Sequence, residues 1–290
     1  MKNSKNAQLR ALLQQPGILR AVGAGDPWDA KLIEQAGFSA VYMSGAFVSH
    51  ITLGRPDIGL ATQSEMVNAA RKIAAAVSVP VIADGDNGFG GVLNVMRTVM
   101  EYEQAGVSAI QLEDQVFPKR CGHMEGKALI TREEMEAKIR AAAKARQDSD
   151  FVIIARTDAR AVNGFEDAIA RAKAYADAGA DVIFFEAPQS EDEMRQLNKL
   201  IGKPTLANMV MGGKTPQFTG KELEQMGYKI VIYPIDLLQV SGHAVKAYLT
   251  ALKEQDTAMA FKDQMMDFQE FNAVAGLPEE RALEKAILEG

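Results

Sequence analysis

The stretch Gln104-Ala105-Gly106-Val107-Ser108-Ala109-Ile110-Gln111-Leu112-Glu113 contains the unit that predicts the fold. A polar segment ends at a glycine, which enters the left-handed conformation of a helix C-terminus freely, and a short apolar strand follows. That strand closes on an acidic residue. Glycines stand just before apolar runs also at Gly37, Gly179 and Gly227. The repeated unit indicates helices that alternate with buried strands.

Eight short apolar runs recur along the chain, at residues 18–24, 40–44, 79–84, 109–113, 151–157, 181–186, 205–209 and 229–233. Such runs, alternating with amphipathic stretches, are typical of a parallel sheet covered on both faces, and eight units favour a closed (β/α)8 TIM-type barrel. An open doubly wound sheet is disfavoured because Gly88-Phe89-Gly90-Gly91 lacks the G-x-G-x-x-G spacing. We expect an α/β fold with one domain over residues 1–290.

Helical patterns continue after the eighth run, at residues 237–255, 257–273 and 278–288. A barrel needs only one closing helix there. We expect the surplus within residues 237–290 to pack on a neighbouring subunit. No linker, low-complexity tract or charge block marks a second domain.

The composition excludes several classes of function. The 290 residues include 38 acidic and 32 basic side chains, a net charge of −6, without a basic stripe that would follow a nucleic-acid backbone. No apolar run approaches the roughly 20 residues that span a bilayer, and the first residues do not resemble a signal peptide. We therefore expect a cytoplasmic protein with no nucleic-acid or membrane partner. Its single cysteine, Cys121, cannot form an intramolecular disulfide.

The carboxyl ends of the predicted strands are unusually polar, and barrel enzymes place their active sites at that end. The end residues are Gly25-Asp26, Ser44-Gly45, Asp84-Gly85-Asp86, Glu113-Asp114, Arg156-Thr157-Asp158, Glu186, Asn208 and Tyr233. One carboxylate could simply cap a helix, but several that converge repel one another unless a cation lies among them. Oxygen ligands with room for water favour Mg²⁺, with Mn²⁺ as an alternative.

Two other chemistries are disfavoured. The chain has three histidines and lacks the His-x-x-x-His and Cys-x-x-Cys spacings of zinc sites. A Schiff-base aldolase would need a lysine on a strand, but residues 181–186 contain none and Lys229 enters at the wrong end of its run.

Arg156 and a cationic loop complete the set of candidate residues. Arg156 could pair with Asp158 or Glu186, but beside a metal its guanidinium is suited to hold a substrate carboxylate in two hydrogen bonds. The loop Pro118-Lys119-Arg120-Cys121-Gly122-His123-Met124-Glu125-Gly126-Lys127 surrounds Cys121 with positive charge, and its glycines permit movement. This combination predicts a mobile acid or base, whereas the simpler interpretation is a surface loop with an incidental cysteine.

At these residues the sequence resembles the isocitrate lyase / phosphoenolpyruvate mutase superfamily, and specifically its small lyases. The likeness extends from about Arg20 to Phe271. Its markers are Tyr42-Met43-Ser44-Gly45, Gly54-Arg55-Pro56-Asp57, Asp84-Gly85-Asp86, Glu113-Asp114-Gln115, Lys119-Arg120-Cys121-Gly122-His123, Ala155-Arg156-Thr157-Asp158 and Ala207-Asn208-Met209.

The resemblance implies a role for each matched residue. Asp86 would bind Mg²⁺ directly, supported by Asp84, Glu113 and Asp57 around the hydrated ion. Arg156, Ser44 and Gly45 would hold the carboxylate of a pyruvate-like unit, and the remaining matched residues would surround the reacting atoms. The residues around the reacting atoms would be Tyr42, Glu186 and Asn208, and Gly122 would be among the substrate-binding residues. Cys121 would be the acid that protonates the carbanion-like product, and His123 would lie beside it. The family also forms tetramers that exchange terminal barrel helices, which suits the surplus C-terminal helices.

Two positions depart from the family pattern. Gly85 stands where many relatives have Ala, a change expected to loosen the backbone. Met211 stands where close relatives often have Glu, which would remove a charge near the far end of the substrate.

The combined features predict a Mg²⁺-dependent carbon–carbon lyase for a 2-hydroxy dicarboxylate. Our first hypothesis is 2,3-dimethylmalate or a similar alkyl-malate, cleaved to pyruvate and a monocarboxylate such as propionate, because residues 212–216 match the malate-cleaving branch and Met211 suits an apolar partner. The runner-up is 2-methylisocitrate, which gives pyruvate and succinate. Oxaloacetate decarboxylation or hydrolysis, phosphonate chemistry and a barrel retained as a binding module are further alternatives. The base is either Tyr42 or Glu186.

Overall fold

The computed structural model describes residues 4–122 and 124–290. Eight strands form a closed barrel in which each pairs in parallel with the next and the last closes on the first. They are β1 Leu19–Ala24, β2 Ala40–Met43, β3 Val81–Asp84, β4 Ala109–Glu113, β5 Val152–Thr157, β6 Val182–Phe185, β7 Thr205–Asn208 and β8 Ile230–Tyr233. The predicted barrel is confirmed, with strand ends within two residues of the apolar runs.

Ten helices belong to the barrel part of the described chain. They are α1 Lys5–Gln14, α2 Pro27–Gln35, α3 Gly45–Val48, α4 Gln63–Ala76, α5 Val92–Gln104, α6 Arg132–Ala145, α7 Ala159–Val162, α8 Phe165–Asp177, α9 Glu191–Ile201 and α10 Gly220–Met226, and a short π-helix, Ser49–Leu53, follows α3.

The glycines that precede the strands have the backbone conformation expected of them. The φ angles are 87° at Gly37, 89° at Gly106, 117° at Gly179 and 101° at Gly227. Residues with a Cβ adopt this region reluctantly, so glycine lets each helix end and the chain turn at once into the next strand. The sequence pattern therefore reports a real structural constraint.

The barrel interior is filled by alternate residues of each strand, because side chains at i and i+2 point to the same face. Val152 and Ile154 of β5 and Val182 and Phe184 of β6 belong to one buried apolar cluster with residues of the other strands. Leu9 of α1 joins the same cluster and is fully buried. The barrel is thus a packed core rather than a pore.

Helix α1 was not predicted from the sequence, although it helps to close the barrel. Its Lys5 ammonium donates to the carbonyls of Ala74 and Val77, each at 2.6 Å. Its Arg10 guanidinium pairs with Asp181 at 2.9 Å. These bonds fix α1 against chain segments at the amino-terminal ends of the strands.

The chain divides into two compact units, of which the second is Leu237–Gly290. The second unit contains all but the first residue of α11 (Asp236–Gln255), a 3₁₀ helix (Met259–Gln264), α12 (Phe268–Ala275) and α13 (Leu277–Glu289). The predicted helical stretch 257–273 is divided in the structure into the 3₁₀ helix and α12. The carboxylate of Asp267 accepts the N–H groups of Gln269 and Glu270, both at 2.8 Å, and so caps the start of α12. Across residues 4–122 and 124–290, every helix is too short or too polar to cross a membrane.

Candidate active site

Polar side chains at the strand ends occupy the same inward-facing positions that are apolar deeper in the barrel. Glu113 follows Ala109 in the alternation of β4, and Arg156 follows Val152 and Ile154 in β5. These residues line a cavity of about 70 Å³ at the carboxyl ends of the strands. Its wall is formed by Tyr42, Ser44, Ala46, Asp57, Asp84, Glu113, Lys119, Arg120, Cys121, Gly122, Arg156, Glu186, Asn208, Val210, Ile232, Pro234 and Ile235.

Two of the four predicted metal carboxylates, Asp57 and Asp86, meet around the ammonium of Lys119. Its nitrogen lies 2.5 Å from Asp57 Oδ1 and 2.8 Å from Asp86 Oδ1, and its side chain is only 4% exposed. Sequence reasoning placed Lys119 beside the cysteine thiol. It failed to identify Lys119 as the partner of these two carboxylates, because only the fold brings residues 57, 86 and 119 together.

Asp84 is held by the surrounding chain rather than by a cation. Its carboxylate accepts the N–H of Gly45 at 3.3 Å and of Asp86 at 3.0 Å, and the side-chain amide of Gln111 at 3.4 Å. Gln111 in turn accepts a hydrogen bond from the Tyr42 hydroxyl at 3.0 Å. Asp84 therefore sets the position of three neighbouring groups at the cavity floor.

Burial changes the acidity of this cluster. It raises the pKa of Asp86 to about 6, where Lys119 opposes the shift and Asp84 and Asp57 add to it. Burial also raises the pKa of Glu113 well above its usual range, with Arg156 opposing. Burial alone would lower the pKa of Lys119, but Asp86 and Asp57 outweigh it and hold that pKa well above the usual value. The site is thus short of positive charge.

The carboxylates fit a hard metal ion that keeps water ligands. The Oε1 atom of Glu113 is buried and has no hydrogen-bond partner among the described residues. The candidate ligands Asp57, Asp84, Asp86 and Glu113 offer only oxygen, as Mg²⁺ prefers. Within residues 4–122 and 124–290, however, no three acidic, histidine or cysteine side chains are grouped closely enough to bind an ion by themselves.

Arg156 is fixed by Asp158. Its Nε and Nη2 atoms donate to the two carboxylate oxygens of Asp158 at 2.9 and 3.1 Å. Nε also lies 3.4 Å from Glu113 and Nη2 lies 3.9 Å from Glu186, while the guanidinium covers the ring of Phe184 at 4.9 Å. The pairing with Asp158 that the sequence allowed is thus observed, and it orients the guanidinium at the cavity wall.

The two candidate bases have different surroundings. Tyr42 is buried, and this burial together with Asp84 raises the pKa of its hydroxyl well above the usual value. Glu186 is also buried, and its carboxylate accepts hydrogen bonds from the Asn208 amide at 3.4 and 3.3 Å. Burial thus favours the neutral form of the Tyr42 hydroxyl, whereas Asn208 orients the Glu186 carboxylate.

The loop of residues 118–127 carries Cys121 to the cavity. Cys121 is partly buried and lines the cavity wall together with Gly122. A Cβ atom at Gly122 would lie 2.3 Å from both Arg156 Nη2 and Glu186 Oε1, so only glycine lets the loop approach this closely. His123, predicted to lie beside the cysteine, falls outside the described residues.

Two expectations about family departures need correction. Gly85 was expected to loosen the backbone, but a Cβ there would lie 2.8 Å from the Ile110 side chain, so the position is tightly packed. Met211 was expected near the substrate, but it is 63% exposed and does not line the cavity. Its neighbour Val210 does, with three further apolar residues that sequence reasoning missed, Ile232, Pro234 and Ile235. All three stand at or just after the end of β8. The alternation of inward-facing residues along β8 could have indicated Ile232.

Comparisons with known proteins identify the family of the chain. The family described as phosphoenolpyruvate phosphomutase matches residues 9–253. The chain is 50% identical to 2,3-dimethylmalate lyase of Eubacterium barkeri, over 96% of each protein, and 46% identical to 2-methylisocitrate lyase of Aeropyrum pernix, over 92% of this chain and 86% of that protein.

Solved structures match almost the whole chain. Oxaloacetate acetylhydrolase in complex with 3,3-difluorooxalacetate superimposes with a TM-score of 0.94 at 34% identity, over 98% of this chain and 97% of that one. Phosphonopyruvate hydrolase in complex with oxalate and Mg²⁺ gives a TM-score of 0.88 at 34% identity, over 98% and 99%. The fold and the family resemblance inferred from sequence motifs are confirmed.

Proposed function

Because the chain belongs to the phosphoenolpyruvate phosphomutase family, we propose that it is an oxo-acid lyase that cleaves an alkyl-malate, with 2,3-dimethylmalate as the first candidate, into pyruvate and a monocarboxylate such as propionate. One observation carries the proposal: the carboxylates Asp57, Asp84 and Glu113 line a single small cavity together with Arg156 and Cys121. A metal site and an arginine alone would suit many reactions of oxo acids. The cysteine adds a proton donor for a second carbanion.

The apolar part of the cavity supports an alkyl-substituted substrate. Val210, Ile232 and Ile235 can contact methyl groups. A third carboxylate, as in 2-methylisocitrate, would place a further negative charge in a cavity whose wall includes these apolar side chains. The similarity to 2,3-dimethylmalate lyase supports the same choice. 2-Methylisocitrate remains the alternative.

We assign the metal to Asp86 directly, and to Asp84, Glu113 and Asp57 through water, with Mg²⁺ favoured and Mn²⁺ as an alternative. The unbonded Oε1 of Glu113 and the all-oxygen ligand set support the assignment. The Mg²⁺ complex of the similar phosphonopyruvate hydrolase supports the choice of ion. When bound, the ion supplies Lewis-acid stabilisation of the oxyanion at C2.

The protein groups carry out binding and proton transfer. Arg156, held by Asp158, binds the C1 carboxylate together with Ser44 and Gly45. Glu186, oriented by Asn208, takes the proton of the C2 hydroxyl. The C2–O electrons form the carbonyl of pyruvate, the C2–C3 bond breaks, and its electron pair remains on C3 of the departing acid. The Cys121 thiol then donates its proton to C3. His123 is proposed to assist Cys121.

A pyruvate-coupled assay tests this assignment. Purified protein with Mg²⁺ should release pyruvate from 2,3-dimethylmalate faster than from 2-methylisocitrate, and turnover of methylisocitrate alone would refute our substrate. Cys121→Ser should lower kcat roughly 100-fold or more, the usual contribution of a positioned acid. Full activity in that variant would refute the proton donor.

Oxaloacetate hydrolysis is a second candidate because of the close structural match to oxaloacetate acetylhydrolase. In this reaction water attacks the C2 carbonyl, and oxalate and acetate are released. Release of oxalate from oxaloacetate at a higher kcat/KM than pyruvate from dimethylmalate would favour it. Decarboxylation would instead release CO₂.

We also propose that the protein is a homotetramer. The family resemblance and the helices of the second unit, beyond those that a barrel requires, support this. Light scattering after size-exclusion chromatography should give four times the chain mass of 31.4 kDa. A monomeric mass would refute the assignment.

A further inference from the structure

Asp158 connects two parts of the active site that the proposed mechanism treats separately. It follows β5 and its side chain is fully buried. Its Oδ1 accepts from Arg156 Nη2 at 3.1 Å and from Lys127 Nζ at 2.9 Å, and its Oδ2 accepts from Arg156 Nε at 2.9 Å. One carboxylate therefore binds both the guanidinium at the cavity wall and the last residue of the loop.

Lys127 attaches the loop to this carboxylate. Its side chain is only 2% exposed, and its ammonium also donates to the carbonyl oxygen of Gly122. Gly122 is the neighbour of Cys121 and packs directly against Arg156 Nη2. While Lys127 stays paired with Asp158, movement of Gly122 away from Arg156 would break its bond to the Lys127 ammonium.

Asp158 is itself held in place by a hydrogen bond to Asp114. Its N–H donates to Asp114 at 2.9 Å, and the carboxylate of Asp114 also accepts from the hydroxyls of Thr157 and Tyr175, both at 2.8 Å. Asp114 directly follows β4, and its hydroxyl partners lie on β5 and on helix α8, outside residues 118–127. Asp158 is thus a fixed reference point for both Arg156 and Lys127.

Resting on the proposed function, we propose that Lys127 and Asp158 are positioning residues that join the placement of Cys121 to the orientation of Arg156. Asp158 sets the guanidinium that binds the substrate carboxylate, and Lys127 holds the Gly122 carbonyl, and so the adjacent cysteine, against it. The Cys121 thiol, which is the proposed acid, is then held next to the guanidinium that binds the substrate carboxylate. A purely structural ion pair would instead stabilise the protein without affecting the cysteine.

The accessibility of Cys121 provides a direct test, because it is the only cysteine in the chain. We would measure its alkylation by iodoacetamide, by mass spectrometry, in the protein without substrate. Lys127→Met should speed alkylation about tenfold or more, the scale on which losing a charge-assisted hydrogen bond shifts an opening equilibrium. Lys127→Arg should restore slow alkylation. Slower alkylation in Lys127→Met would overturn the proposal, because it would mean that Lys127 only activates the thiol.

Arg160→Met is the matched control. It also removes a cation, two residues after Asp158 in the sequence, but its ion-pair partner is Glu193 at 2.7 Å rather than Asp158. We expect unchanged alkylation and kcat in this variant, and an increase equal to that of Lys127→Met would overturn the proposal. Where Lys127→Met fails to fold, Lys127→Gln replaces it, since glutamine can still donate one hydrogen bond and should give an intermediate alkylation rate.

Kinetics provide the second measurement. With the dicarboxylate that the protein cleaves, Lys127→Met should lower kcat about 100-fold, the cost of misplacing a reacting group by roughly 1 Å, with less change in KM. An unchanged kcat would overturn the positioning role. The alkylation result does not depend on lyase activity, so failure of the proposed function would be recognised separately, by absent turnover in the unaltered protein.

Discussion

The two ends of the barrel use the same alternation of side chains for opposite purposes. At the amino-terminal end, inward positions such as Leu19 and Val182 are apolar and pack with Leu9 of α1. At the carboxyl end, the same alternation places Glu113 and Arg156 at a cavity. Burial stabilises the first group and is unfavourable for the charged groups of the second unless they are paired. The amino-terminal end therefore stabilises the fold, whereas the carboxyl end holds charged groups for chemistry at some cost in stability.

Among the substitutions that test this difference between the two ends, the largest effect is expected at Asp86. On the proposed function, Asp86→Asn should lower kcat/KM roughly 1,000-fold, since it removes the direct ligand of the metal. Mg²⁺ should raise the melting temperature of the unaltered protein but not of the variant, which a thermal-shift titration measures without any substrate. An equal Mg²⁺ shift in both proteins would place the ion elsewhere.

The same variant should change how stability depends on pH. The pKa of Asp86 rises from its ordinary value of 3.8 to about 6 in the folded protein, so the folded state binds more protons than the unfolded chain between these values. Stability from this group is highest below pH 4 and is lost as the pH rises through 6. In chelator, Asp86→Asn should therefore gain melting temperature relative to the unaltered protein between pH 4 and pH 7. A constant difference would contradict the raised pKa.

At the amino-terminal end of the barrel, Leu9→Ala should lower the stability of the fold without changing the activity of the site. Leu9 is fully buried in the interior cluster, so its truncation should cost about 3 kcal/mol of unfolding free energy. The kcat of the folded fraction should stay unchanged. Urea denaturation measures the first quantity and the lyase assay the second. Leu200→Ala, at a position that is 43% exposed, is the control and should change stability by less than about 0.5 kcal/mol.

A third substitution separates packing from function at the carboxyl end. Gly122→Ala would bring a Cβ within 2.3 Å of Arg156 and Glu186, so the loop must shift outward. We expect kcat/KM to fall about 100-fold while the melting temperature changes little, because the loss is one of positioning. Gly91→Ala is the control, since it has a φ of −78° and no atom within 4 Å of its Cβ position. Full activity in Gly122→Ala would mean that the loop need not approach Arg156.

Sequence reasoning predicted the barrel because its signals are local. Gly37, Gly106, Gly179 and Gly227 mark helix ends, and short apolar runs mark strands. Helix α1 was missed because its attachment depends on distant partners, such as the bond from Lys5 to Val77. Within the site, the strand-end carboxylates were identified because strand direction places them at one edge. The pairing of Lys119 with Asp57 was not, because it joins two loops whose conformations only the folded barrel determines.

The smallest effect concerns Gly85, which lies between the two aspartates of the site. A Cβ there would contact the Ile110 side chain at 2.8 Å and the Gln111 carbonyl oxygen at 2.9 Å, so Gly85→Ala should cost about 1 kcal/mol of unfolding free energy. Activity should fall less than tenfold, because Asp84 and Asp86 are retained. Ile110→Val removes one of the contacting atoms and should be less costly in the alanine background than in the unaltered protein. A double-mutant cycle by urea denaturation should then give a coupling of about 0.5 kcal/mol or more. Strict additivity would show that Ile110 does not restrict this position, and would restore the view that glycine merely loosens the backbone here.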